Sequence, residues 1–119
     1  MQSCIVKSDQ AAEYYFKEGC YILEMINSAD DPALSIARAR VASGVTTRLH
    51  ALKGTAERYY ILSGTGLVKV GELRQSVVEG DVVCIAPGVA QQITNTSDVD
   101  LIFLALCTPR FEADNYQEL

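Results

Sequence analysis

Gly44-Val45-Thr46-Thr47-Arg48-Leu49-His50-Ala51-Leu52-Lys53-Gly54-Thr55-Ala56-Glu57-Arg58-Tyr59-Tyr60-Ile61-Leu62-Ser63-Gly64 is the stretch on which the reading of this chain turns. Two runs inside it, 46–52 and 56–62, are rich in β-branched and aromatic residues that alternate with polar ones, which predicts two strands joined at Lys53-Gly54. Side chains two apart on a strand share a face, so His50 lies with Arg48 and Leu52, and Glu57 lies with Tyr59 and Ile61. Working outward, the same pattern predicts strands near 20–27, 34–42, 66–71, 81–86, 90–95 and 100–107. The chain's three prolines and eight glycines fall largely between these runs, and such short, regular spacing predicts an all-β sandwich or barrel of antiparallel strands. The single helical candidate is 9–17, with Asp9 as its cap.

A chain of 119 residues is long enough for one compact domain, and a hydrophobic content of 49% excludes general disorder. Ten basic against fifteen acidic residues give a formal net charge of −5, which disfavours nucleic acid and anionic membranes as partners. No apolar run approaches the roughly 20 residues of a membrane span and no signal-peptide core opens the chain, so a cytoplasmic protein is expected. Cys4, Cys20, Cys84 and Cys107 are scattered, which suits neither a zinc-finger set nor a disulfide framework. Cys84 and Cys107 are expected as small apolar residues within strands.

The order Gly44, five residues, His50, one residue, Leu52, four residues, Glu57, six residues, Gly64 resembles the first motif of the cupin superfamily. The stretch 80–95, GDVVCIAPGVAQQITN, is similar to the second cupin motif. The resemblance implies a single-domain cupin over 1–119, a double-stranded β-helix of jelly-roll type, with motif one at 44–64 and motif two at 80–95 facing each other across a lumen. It also implies a metal site, but Leu52 stands where the motif's second histidine falls and Gln91 where its third does, leaving His50 and Glu57. The remnant metal set is then His50, Glu57 and Gln91, for zinc, nickel, manganese or iron. An amide oxygen is a weaker donor than imidazole, so a metal there binds less tightly, and an empty site is equally compatible with the residues.

Without a metal, His50 is expected to bond Glu57, with Gln91 completing a polar network. Tyr59 brings a hydroxyl near that pair, and Arg48 offers a fork for a carboxylate or phosphate, or else sits in solvent at the barrel mouth. Arg38 and Arg40 read as a charged, solvated strand face. Two functions follow from the resemblance. One is a metal-dependent enzyme, isomerase- or dioxygenase-like, acting on a sugar phosphate or oxyacid with Glu57 or His50 handling a proton. The other is a non-catalytic binder holding a small molecule through Arg48, Tyr59, His50 and Gln91, with no tightly bound metal. The run 101–107 is apolar on both faces, which predicts a homodimer or cover by the N-terminal segment. The tail 110–119 is expected to lie back over the barrel.

Overall fold

The computed structural model of the protein describes residues 1–119. Eleven strands follow in order: β1 (Tyr14–Phe16), β2 (Cys20–Ser28), β3 (Asp31–Val41), β4 (His50–Leu52), β5 (Ala56–Ser63), β6 (Thr65–Val70), β7 (Leu73–Val78), β8 (Val82–Ile85), β9 (Gln91–Asn95), β10 (Leu101–Thr108) and β11 (Tyr116–Glu118). They form a six-stranded sheet, β1-β2-β3-β10-β5-β8, and a five-stranded sheet, β11-β4-β9-β6-β7. There is no α-helix, only two single turns of 3-10 helix, so the all-β expectation holds.

Period-two burial assembles the core between the sheets. Ile61 of β5 and Leu101 and Phe103 of β10 meet Val68 of β6 and Ile93 of β9 in one cluster of twelve buried residues. Each motif segment supplies a strand to both sheets. β4 and β9 are paired in the smaller sheet, with His50 opposite Gln91, while β5 and β8 are paired in the larger, with Glu57 opposite Ile85. The two motifs thus lie side by side twice, and the lumen separates β4 and β9 from β5 and β8, which corrects the expectation that 44–64 as a whole faces 80–95.

Gly64 shows why this motif needs its glycine. Its φ is +85°, and a Cβ there would lie 2.9 Å from the Asp100 carbonyl oxygen, because the β5–β6 turn runs against the start of β10.

Several expectations need correction. The predicted strand 46–52 is regular only at its end, because the Thr47 N–H bonds Ile93 in the smaller sheet while the Arg48 N–H bonds the Glu18 carbonyl, splitting the ladder between two partners. β7 was not predicted: it is an exposed edge strand in which Val77 alone is buried, held by its pairing with β6, so it lacks a hydrophobic alternation. Asp9 does cap a turn, accepting from the Ala11 N–H at 3.1 Å, but the helix stops at Ala12 and Tyr14–Phe16 become β1. Cys84 is exposed, on the outer side of β8, whereas Cys107 is buried as expected; all four cysteines are free. Arg38 and Arg40 are only partly exposed, because Glu13 pairs with both and Asp100 with Arg40. The tail returns over the barrel as expected, with β11 paired to β4. No helix is long and apolar enough to cross a membrane.

Candidate functional site

Between the sheets lies a cavity of about 70 Å³. Glu18, Cys20, His50, Glu57, Tyr59 and Cys107 contribute to its walls, and no lysine or arginine does. Tyr14, Phe16, Glu24, Asn27 and Phe111 border both this cavity and an open groove of about 450 Å³ outside it, so they mark its mouth.

His50 opens β4 and is 2% exposed. Its Nδ1 lies 2.7 Å from the Arg48 carbonyl oxygen, which can only accept, so Nδ1 carries a proton. Its Nε2 lies 3.1 Å from Glu18 Oε2. His50 therefore pairs with Glu18, which corrects the expected His50–Glu57 bond. Glu18 comes from the turn between β1 and β2, where Gly19 at φ +97° lets the chain reverse and drop the carboxylate inward. A charged residue before a glycine in a hairpin turn normally reads as solvated, and nothing local distinguishes this one.

Glu57 sits on the inner face of β5, 8% exposed. Its Oε2 faces the Cys107 thiol at 3.8 Å, and its Oε1 has no hydrogen-bond partner. Burial, reinforced by the negative field of Glu18 and only partly offset by Gln91 and Cys107, pushes the carboxyl up to about 8, so at neutral pH it is mainly the protonated acid. Burial likewise raises Glu18, and the imidazole of His50 counters it.

Gln91, fully buried at the start of β9, accepts a hydrogen bond from the Tyr59 hydroxyl through Oε1 and leaves Nε2 unpaired. Tyr59 packs against Phe103 with ring centroids 4.3 Å apart. Tyr116, expected in the returning tail and not in the site, is carried by β11 onto His50, ring stacked on ring at 5.1 Å and 20°. Its hydroxyl is buried without a partner, and burial, then Glu18, hold it up to about 12. Arg48 is exposed and does not line the cavity. It serves the site through its backbone carbonyl, and its side chain lies in solvent, the second of the two positions expected for it.

The expected metal set meets an obstacle in its own donors. Gln91 Oε1 is engaged by Tyr59, His50 Nε2 by Glu18, and Leu52 is a buried apolar side chain on the cavity wall. No three His, Cys, Asp or Glu side chains converge in a metal-holding geometry. As they stand, these residues do not fit a divalent ion.

A family model for the cupin domain matches residues 37–107, well over half of the chain. The chain belongs to the cupin family. This cupin is 31% identical over 113 residues to an uncharacterised protein of Methanocaldococcus jannaschii, covering 93% of the chain and 90% of that protein. It is 36% identical over 70 residues to an oxalate-binding protein of Thermotoga maritima, covering 59% of the chain and 58% of that protein. Among solved structures it is similar in fold to a nucleoside dehydratase from Streptomyces, with TM-score 0.80 and 15% identity over 98% of this chain and 92% of that one.

Proposed function

We propose that this cupin, acting as one domain over residues 1–119, binds a small organic molecule in its cavity and moves protons on it with its own side chains rather than through a bound metal. The observation that carries this reading is the Glu57 carboxyl: buried, mainly protonated at pH 7, with Oε1 unpartnered in the cavity that also holds the His50–Glu18 pair. Environments that push neighbouring acids and bases apart are how one site supplies both. Glu57 is the acid. The His50–Glu18 pair is the base, since Nε2 and Oε2 lie 3.1 Å apart and a proton taken by either is held by the other.

That division suits elimination of water from a β-hydroxy carbonyl compound. The base takes the proton from the carbon beside the carbonyl, the C–H electron pair becomes the new double bond, the C–O bond breaks, and the oxygen leaves as water with the proton from Glu57. The fold likeness to a nucleoside dehydratase supports the reaction class. Glu57 is mainly protonated, and Glu18 and Glu24 line the cavity with no lysine or arginine beside them, which favours a neutral or cationic substrate over a sugar phosphate or an oxyacid. Incubation in D2O with a panel of β-hydroxy ketones and aldehydes, followed by proton NMR, tests the reading. Deuterium should enter beside the carbonyl and enone should appear, and the enone should be lost in Glu57→Gln. Saturable binding with neither exchange nor elimination would replace the enzyme with a non-catalytic binder, the reading that the name of the Thermotoga maritima relative favours.

A further inference from the structure

Two side chains on the cavity wall end in a buried polar atom with no partner in the protein: Glu57, at Oε1, and Tyr116, at its hydroxyl. The first is the acid of the proposed reaction, and the second has no role in it so far. A hydroxyl shut away from water without a hydrogen bond costs stability, so its presence on a cavity wall calls for a partner that the protein does not supply.

The fold fixes where that hydroxyl stands. β11 pairs with β4 so that Tyr116 lies opposite Leu52 and Glu118 opposite His50. Leu52 and His50 both line the cavity, and the period of two turns Tyr116 to the same side, diagonal to His50. The ring is already engaged: the His50 imidazole is stacked on it at 5.1 Å, Phe16 stands edge to face with it at 5.2 Å, and Lys17 Nζ lies over it at 4.5 Å. What Tyr116 leaves for a ligand is its oxygen. Glu18 lies near enough for its charge to help keep the proton on the phenol, yet its Oε2 faces His50 and its Oε1 takes the Cys20 thiol, so neither oxygen receives the Tyr116 hydroxyl. On the opposite wall the Cys107 thiol faces Glu57 Oε2, which leaves Oε1 as the oxygen that carries the acid proton. The cavity thus offers two O–H donors to its ligand.

We infer that Tyr116 is a further catalytic residue, whose hydroxyl donates a hydrogen bond to the carbonyl oxygen of the ligand and holds the negative charge that develops there. The inference deepens the proposed elimination and rests on it: the two oxygens of a β-hydroxy carbonyl compound meet the two donors, the hydroxyl at Glu57 and the carbonyl at Tyr116. When the His50–Glu18 pair removes the proton beside the carbonyl, the C–H electron pair moves onto the carbonyl oxygen as the enolate, and it returns to form the double bond as the C–O bond breaks. Tyr116 keeps its own proton throughout. A donor fixed in a closed site and aimed at developing charge acts mainly on the rate. Tyr116 lies outside residues 37–107, the part of the chain that the cupin family model matches, so this donor comes from the returning tail and not from the two motifs.

The test uses the full chain with 4-hydroxy-2-butanone labelled with 13C at the carbonyl, followed by NMR in D2O, for the parent and for Tyr116→Phe, which keeps the ring and deletes the oxygen. The bound carbonyl carbon should resonate downfield in the parent relative to the variant, because a hydrogen bond to the oxygen draws electron density from the carbon. Deuterium exchange and enone formation should both fall about 100-fold or more in Tyr116→Phe, whereas Glu57→Gln loses the enone alone. The variant should unfold at a urea concentration equal to or above that of the parent, since it sheds a buried hydroxyl that bonds nothing. A purely structural tyrosine would do the reverse, lowering stability and leaving the carbonyl shift and both rates unmoved. An unchanged carbonyl shift, undiminished exchange in Tyr116→Phe, or no saturable binding of the ketone to the parent would each overturn the inference. Exchange and elimination that continue in Tyr116→Phe remove this donor and leave the proposed reaction standing, while a carbonyl shift that depends on Tyr116 without exchange or elimination in the parent removes the reaction and upholds the contact.

Discussion

Replacing Glu57 by glutamine keeps shape and volume and deletes one titration, which makes it the sharpest probe of the site. In the folded protein this carboxyl is displaced from its ordinary 4.5 to about 8. At 1.36 kcal/mol per pH unit, that displacement amounts to about 5 kcal/mol. Between the two values the folded chain holds a proton that the unfolded chain has released. Unfolded molecules therefore bind fewer protons, and stability falls as pH rises, by up to about 1.4 kcal/mol per unit. Below pH 4 both states are protonated and the effect vanishes; above about 8 both are ionised and the full penalty is present. Glu57→Gln has no proton to lose. Urea unfolding at pH 5, 6, 7 and 8 should show the variant gaining on the parent by roughly 1 kcal/mol or more with each unit, since Glu18 titrates in both proteins and largely drops out of the difference. Parallel stability curves for parent and variant across pH 5 to 8 would refute the buried-acid assignment, and with it the role of Glu57 as proton donor.

Leu52→His and Gln91→His together should restore strong donors to the cavity wall, because Leu52 lies on that wall and Gln91 is paired with His50 across β4 and β9. Calorimetric zinc titration should show the double variant binding at least about 100-fold more tightly than the parent, and no gain would mean that positions 50, 52, 57 and 91 do not converge. The outer face of the larger sheet exposes Tyr60, Leu62 and Val82, with Leu104 opposite Tyr60 on β10. Light scattering should therefore give about twice the chain mass of 13.0 kDa, and Tyr60→Lys should shift it toward the single-chain value.

Much of this architecture was present in local pattern. Alternation over 56–62 and 90–95 reports which faces are buried, because a strand's side chains point alternately inward and outward whatever its neighbours are. Gly44, His50, Glu57 and Gly64 carried the family resemblance at their spacing, and parity alone placed Glu57 with Tyr59 and His50 with Leu52 on inward faces, where both pairs are buried. What parity could not supply was partnership. His50 was expected to reach Glu57, and instead its Nε2 reaches Glu18, 32 positions away in a turn whose backbone meets Arg48 only after the barrel closes. Tyr116 belongs to a tail with no strand pattern of its own, and it becomes a wall of the site because β4 offers β11 an open edge to pair with. β7 likewise exists by pairing with β6, not by burying a face. Inward direction is a property of each strand, readable from period two. Which inward groups meet, and which is left unpaired beside a cavity, depends on how far apart the closed barrel sets them, and that distance is fixed only when both sheets and the returning tail are in place.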